Sequence, residues 1–551
     1  MKKNEKIALV DLFPYIRKAF IDAGVHRYPV IVAIAAFAIS VLAIINSTDA
    51  PLGNLNRADD TVAERSVFAE KPLVFIVGQG ERIVKKGFLV SEEDMAILTE
   101  SKMESPVRDV PNMVGRVFVL VMLFMLFGFL SNPRFIGKNL SDSELYLIIT
   151  LTALYVVGAA FAKNLPFNTI SFPISIVMPT AFITMLLSVL ISANLAVSWA
   201  LALPLAAFLT GSFDISAYIV ALASGLTASN TLRNAQWRMD LVKAGLFIAA
   251  ANCASTICVL LLRRTSAFDY PLVLFWTAFN GIASGMLVMW LLPPLEQALN
   301  AVTTFRLMEL SDLNAPIIKK LFTAAPGTYN HSVMVARLAE AACEEIGANF
   351  LLARVGGYYH DIGKIDHPEY FTENQSGYNK HDEIPPRLSA TILRSHVKLG
   401  IERSRSMHLP KPVIDIIAQH HGTSLIQWFY NKALEQEQDV SREDFSYPGP
   451  PPRSRESAVV MLADVSEAAV RSRYTNANSE KPNAAKIEKS VQELIDMKIE
   501  HGQLAESELT FQDLETIKKA FVKVLMSYYH SRIEYPKEKL PPQGHSIPSH
   551  A

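Results

Sequence analysis

Seven side chains of the kinds that bind divalent ions recur through the second half of the 551-residue chain: His331, the pair His360-Asp361, His396, the pair His420-His421, and Asp464. Imidazole nitrogen and carboxylate oxygen together suit borderline ions such as Mn, Fe and Zn. Taken alone, His331, His396 or Asp464 reads as an ordinary polar residue; the spaced set reads as a centre for two ions. Adjacent residues on a helix point about 100° apart, so each doublet serves one site only if the ions lie between packed helices. Asp361 is the expected bridge. Asp464 ends the run Val459-Val460-Met461-Leu462-Ala463-Asp464, where an unpaired charge in an apolar helix is costly and metal ligation would account for it. Two ions with open positions suit phosphodiester hydrolysis, in which they activate water and clamp the phosphate oxygens. Asp361 and Lys364 are therefore the catalytic candidates, with Lys364 meeting a non-bridging phosphate oxygen as a point charge. Tyr378-Asn379-Lys380-His381-Asp382 forms a polar loop between ligand segments that either holds a nucleotide or caps the next helix. Tyr378, His381 and Thr423 join Lys364 as candidates for substrate contact.

The elements that must position these residues are helical. From Thr328 the pattern predicts helices near 329–346, 350–361, 386–406, 412–421, 455–473, 484–501 and 511–530, with Gly347, Gly363 and Gly422 where helix C-caps belong. Asp444 to Pro452 is too rich in proline to continue a helix and marks a loop. Before this half lie apolar runs near 29–46, 114–130, 145–162, 172–191, 194–210, 215–230, 241–262 and 271–292. A bilayer core needs roughly 20 apolar residues in helix, so the eight runs predict a polytopic membrane bundle whose even count returns the chain to its starting side. The basic leader favours the cytoplasm for the N-terminus. Arg134, Lys138, Arg233, Arg238 and Lys243 agree with that count, whereas Lys163 and Arg263-Arg264 do not.

The expected organisation is all-α overall: a leader over 1–28, a first membrane helix over 29–46, a short external α+β segment over 47–113, seven membrane helices over 114–292, a juxtamembrane connector over 293–326, a soluble helical domain over 327–536 and a disordered tail over 537–551. The external segment is inferred from short β-branched runs around Val74–Val77 and Ile83–Val90. A net charge of −1 supplies no basic footprint, so duplex nucleic acid is excluded as a partner. Three cysteines, Cys253, Cys258 and Cys343, make neither a disulfide framework nor a CxxC motif.

The order His, His-Asp, His, His-His, Asp resembles the HD-domain phosphohydrolases in their two-metal form. The strings Gly327-Thr328-Tyr329-Asn330-His331-Ser332, Tyr358 to Lys364, Tyr370 to Gln375, His420-His421-Gly422-Thr423 and Arg532 to Pro536 extend the resemblance to the seven-transmembrane-HD receptors, the family of PgpH-type cyclic-di-AMP phosphodiesterases. That resemblance implies a cytoplasmic all-helical HD domain at 327–536 that hydrolyses cyclic di-AMP to pApA at the inner membrane surface, with Mn or Fe as metals. The lipid bilayer is the expected surroundings, and a homodimer is a candidate assembly that the sequence does not decide. Carried over, His331, His360, Asp361 and Asp464 would hold one ion, and Asp361, His396, His420 and His421 the other. Two departures stand out: the external segment is shorter than usual, and Lys380 precedes His381 where the family commonly has proline. The competing readings are a cyclic di-GMP phosphodiesterase of the HD-GYP type and a receptor that binds a nucleotide without turnover. The first expects Gly-Tyr-Pro after the doublet, where this chain has Gly422-Thr423-Ser424-Leu425.

Overall fold

The computed structural model describes residues 33–41, 67–68, 82–84, 110–136, 140–162, 178–209, 215–233, 235–263, 270–375, 377–436, 439–474 and 483–529. The expected leader and tail lie outside them. The chain falls into two compact units, Met1–Ala301 and Val302–Ala551.

In the first unit, helices cover 33–41, Val110–Leu130, Asp142–Ala162, Thr180–Leu190, Ala193–Leu209, Ile215–Thr231, Met239–Arg263 and Tyr270–Ala298, with a short turn at Pro133–Ile136. Asp142–Ala162, Met239–Arg263 and Tyr270–Ala298 contain spans long and apolar enough to cross a membrane. Thr180–Leu190 is shorter: at 1.5 Å per residue it rises only about 16 Å, against a hydrocarbon core of about 30 Å. The last helix differs from the sequence expectation, since it continues through Pro293 and Pro294 to Ala298. Each proline removes one backbone donor but does not stop the turn here.

Two inward polar pairs tie helices of this unit together: Trp199 Nε1 donates to Thr152 Oγ1 over 2.9 Å, and the Tyr155 and Thr180 hydroxyls lie 2.8 Å apart. Phe118, Leu262 and Trp290 face outward, as lipid-facing side chains do. Gly281 allows the closest approach of two long helices, because a Cβ there would lie 2.4 Å from the Ala249 nitrogen; small residues commonly serve this purpose where lipid supplies no hydrophobic drive. Of the expected external segment, two short strands are described, Val67–Phe68 paired antiparallel with Arg82–Val84.

The second unit is all helical among its described residues apart from an isolated Leu425–Ser446 bridge. Its helices are α1 (Thr304–Leu310), α2 (Pro316–Ala324), α3 (Pro326–Glu345), α4 (Phe350–Tyr359), α5 (Pro386–Ser406), α6 (Lys411–Gln419), α7 (Gln427–Gln436), α8 (Arg455–Tyr474), α9 (Ala484–Glu500) and α10 (Phe511–Tyr529). Short 3-10 turns join α4 to α5. Asn349 caps α4 by accepting from the Leu352 N–H, and Asn483 caps α9 in the same way. One apolar core, including Leu307, Val335, Ile362, Ile416, Val459 and Phe521, runs through the unit. The expected amphipathic connector contributes to that core through Leu307, Ile318 and Leu321. Helix α7 is an element that the sequence reading does not single out.

Gly347 and Gly422 take positive φ beyond α3 and α6, as C-terminal glycines do. Gly363 does not: it lies inside the 3-10 turn Ile362–Asp366. Its absent side chain serves packing, since a Cβ would stand 1.9 Å from the His396 carbonyl oxygen.

Candidate metal centre

Five helices bring the seven ligand-type residues together. His331 lies on α3, His396 on α5 and Asp464 on α8, while each doublet occupies the C-terminal end of a helix. Helix α4 stops at Tyr359; His360 keeps helical dihedrals as the cap, and Asp361 departs to φ −108°, ψ 15°. At the end of α6, His420 is the cap and Gly422 turns left-handed at φ 52°. These breaks, together with the packing of five helices around the cluster, let neighbouring side chains face one site. Helix C-termini also carry partial negative charge, which favours cations beside them.

Asp361 is buried, and its two oxygens face different partners. Oδ2 lies 3.2 Å from His360 Nε2 and 3.7 Å from His331 Nε2. Oδ1 lies 3.4 Å from His396 Nε2 and 3.7 Å from His420 Nε2. Asp464 completes the two sides, with Oδ1 at 3.1 Å from His331 Nε2 and Oδ2 at 3.6 Å from His421 Nδ1. Three overlapping groups, Asp361-His396-His420-His421, His331-His360-Asp361 and His360-His420-Asp464, each place their candidate atoms within 4.8 Å of one another. Asp361 Oδ1 and His360 Nε2 have no hydrogen-bond partner in this buried place. Lone pairs converging without donors are costly unless a cation meets them. The donor set therefore fits divalent ions.

The far nitrogens of the rings are fixed. The Nδ1 atoms of His360, His396 and His420 each meet the carbonyl three residues back, those of Gly357, Leu393 and Ile417, at 2.8, 2.5 and 2.8 Å. A carbonyl only accepts, so each ring carries its proton on Nδ1 and turns the Nε2 lone pair inward. His331 Nδ1 instead meets the Glu467 carboxylate at 2.5 Å. Burial holds His396 down to about 4 and His420 to about 3, and pushes His421 well below the usual imidazole range. His331 is drawn the other way, to about 10, because Asp464 and Glu467 outweigh its burial. Burial would raise the Asp361 carboxyl, but His360 and Lys364 hold it well below the ordinary range.

Lys364 is buried beside this cluster, 2.7 Å from Asp361 Oδ2 and 2.9 Å from Glu373 Oε1. Glu373 is positioned by Thr328, whose hydroxyl donates to the same oxygen at 3.0 Å, and Asn374 accepts from the Gly327 and Thr328 N–H groups. The start of α3 is thereby joined to the turn after the His-Asp pair. The other substrate-contact candidates diverge. Tyr378 is exposed. His381 is buried, with Nε2 at 2.8 Å from the Tyr370 carbonyl and its ring against Phe429. Thr423 is engaged by Gln503, which accepts from its N–H and donates to its hydroxyl.

Three contributors are absent from the sequence reading of the site. Glu467 lies one helical turn after Asp464, a spacing that puts both on one face. Glu373 falls within the string Tyr370 to Gln375, without an assigned role. Tyr447 stacks on His421 with ring centroids 4.2 Å apart, and no spacing pattern announces it.

A family model for the "7TM receptor with intracellular HD hydrolase" matches residues 112–303, and one for the "HD domain" matches 328–469. The chain is 35% identical over 492 residues, 87% of its length and 67% of the relative's, to the "Cyclic-di-AMP phosphodiesterase PgpH" of Bacillus subtilis. It is 33% identical over 496 residues, with the same shares, to the Listeria monocytogenes protein of that name. A crystal structure of the L. monocytogenes PgpH HD domain in complex with cyclic-di-AMP is 45% identical, covers 40% of this chain and all of that one, and has a TM-score of 0.37. The three membrane-length helices and the match over 112–303 make this a membrane protein. With two curated relatives matched over two thirds of their length, the chain belongs to the family of 7TM receptors with an intracellular HD hydrolase.

Proposed function

We propose that the chain is a membrane-anchored phosphodiesterase that hydrolyses cyclic di-AMP to linear pApA on the cytoplasmic side, with two divalent ions, Mn or Fe, held by His331, His360, Asp361, His396, His420, His421 and Asp464. The observation that carries this reading is the two-sided environment of Asp361, with His331 and His360 at one oxygen and His396 and His420 at the other. When bound, such ions supply an activated water near neutral pH and neutralise charge building on the phosphate. The chain's own residues do the rest. Backbone carbonyls and Glu467 aim the imidazoles, and Asp361 joins the two halves. Lys364, gripped by Glu373, offers a cation at the edge of the cluster for a phosphate oxygen. The relatives' printed activity and the His420-His421-Gly422-Thr423 string favour cyclic di-AMP over cyclic di-GMP. Cytoplasmic placement rests on the basic leader and on Arg134, Arg233 and Arg238.

The test is turnover. Purified protein in detergent with Mn is incubated with cyclic di-AMP and, separately, with cyclic di-GMP, and products are resolved by chromatography. pApA as the faster product supports the reading. Faster loss of cyclic di-GMP would overturn the substrate, and binding without any product would favour a receptor that does not turn over.

A further inference from the structure

Tyr447 occupies an unusual place for a residue in a proline-rich loop. The segment Tyr447-Pro448-Gly449-Pro450-Pro451-Pro452 is pinned on both sides. Ile426 N–H donates to the Phe445 carbonyl over 2.8 Å, Tyr447 N–H to the Ser424 carbonyl over 3.0 Å, and Arg453 N–H to Gln419 Oε1 over 3.0 Å. Gly449 is pressed against the end of α6, where a Cβ would lie 2.3 Å from the Ala418 carbonyl oxygen. The result of this anchoring is a phenol ring laid on His421 at an interplanar angle of 30°, and 6.0 Å from the His396 ring. His421 is the most exposed member of the metal cluster, with 20% of its side chain accessible, so Tyr447 stands at the mouth of the site. Its hydroxyl has no hydrogen-bond partner among the described residues. An ordinary phenol is protonated at neutral pH, so this hydroxyl is available as a donor.

We infer that Tyr447 is a substrate-contacting residue: its hydroxyl donates a hydrogen bond to a phosphodiester oxygen at the mouth of the site, while its ring holds His421 in place. The inference rests on the reading of the centre as a phosphodiesterase and assigns a role to a residue outside the ligand set. A hydrogen bond to a charged oxygen contributes roughly ten- to hundredfold.

The test compares wild type, Tyr447→Phe and Tyr447→Leu as full-length protein in detergent, with bound Mn measured on each sample. Two substrates are used, cyclic di-AMP and the chromogenic diester bis(p-nitrophenyl) phosphate. The expected result is a fall in kcat of about tenfold or more for Tyr447→Phe on both substrates at unchanged Mn content, and an added loss of Mn for Tyr447→Leu, which no longer covers His421. Tyr447→Phe with wild-type kcat, or a loss that simply follows bound Mn, would overturn the proposal. Wild type that cleaves the chromogenic diester but not cyclic di-AMP would overturn the dinucleotide reading, while the Tyr447 comparison on the chromogenic diester still decides the present one.

Discussion

Asp361 and Glu467 act on the centre in different ways. Asp361 presents one oxygen to each half, so Asp361→Ala is expected to abolish hydrolysis while circular dichroism and membrane insertion stay close to wild type; undiminished turnover would show that the ligand assignment is wrong. Glu467 touches the centre only through His331 Nδ1. Removing a carboxylate that orients a ligating histidine typically weakens metal affinity about 10- to 100-fold. Glu467→Gln should therefore need a correspondingly higher Mn concentration for half-maximal rate and recover most of its kcat at saturation. A rate defect that excess Mn leaves untouched would assign Glu467 another role.

At the scale of elements, the turn Ile362–Asp366 carries the His-Asp pair past α5 at backbone contact. Gly363→Ala forces a methyl group into the His396 carbonyl, and such overpacking costs about 1–3 kcal/mol. The expected outcome is a lower Tm and a larger loss of activity, because the displaced segments hold ligands of both halves; unchanged activity would show that the contact relaxes freely. This turn also marks the limit of what the sequence discloses. Histidine and aspartate spacing makes the clustered side chains that could hold metal, and the helices that carry them, legible, since period and chemistry coincide there. The break between His360 and Asp361 is not, because a chain leaving a helix has no periodic signature. Gly363 illustrates the same limit: its position suggested a cap, whereas the requirement came from α5, distant in sequence. Tyr447 and Glu373 likewise depend on tertiary contacts that no local pattern records.

For the whole molecule, the second unit owns a continuous core and, among the described residues, all seven proposed ligands. The fragment Val302–Ala551 is therefore expected to be soluble without detergent and to retain metal-dependent hydrolysis; an inactive, aggregating fragment would mean that the first unit is required for folding. Metal should staple this unit, because the proposed ligands come from five helices spread between His331 and Asp464. Ligand binding to the native state alone adds about 4 kcal/mol at a thousandfold excess over Kd, so chelation should lower Tm by several degrees in a scanning measurement. The graded accessibility of the imidazoles has a further use. His421 has 20% of its side chain in contact with solvent, whereas those of His331, His360, His396 and His420 have 3% or less. Among the five clustered imidazoles a water-borne acylating reagent should thus mark His421 first, making its modification rate a built-in gauge of whether the entrance is clear or covered.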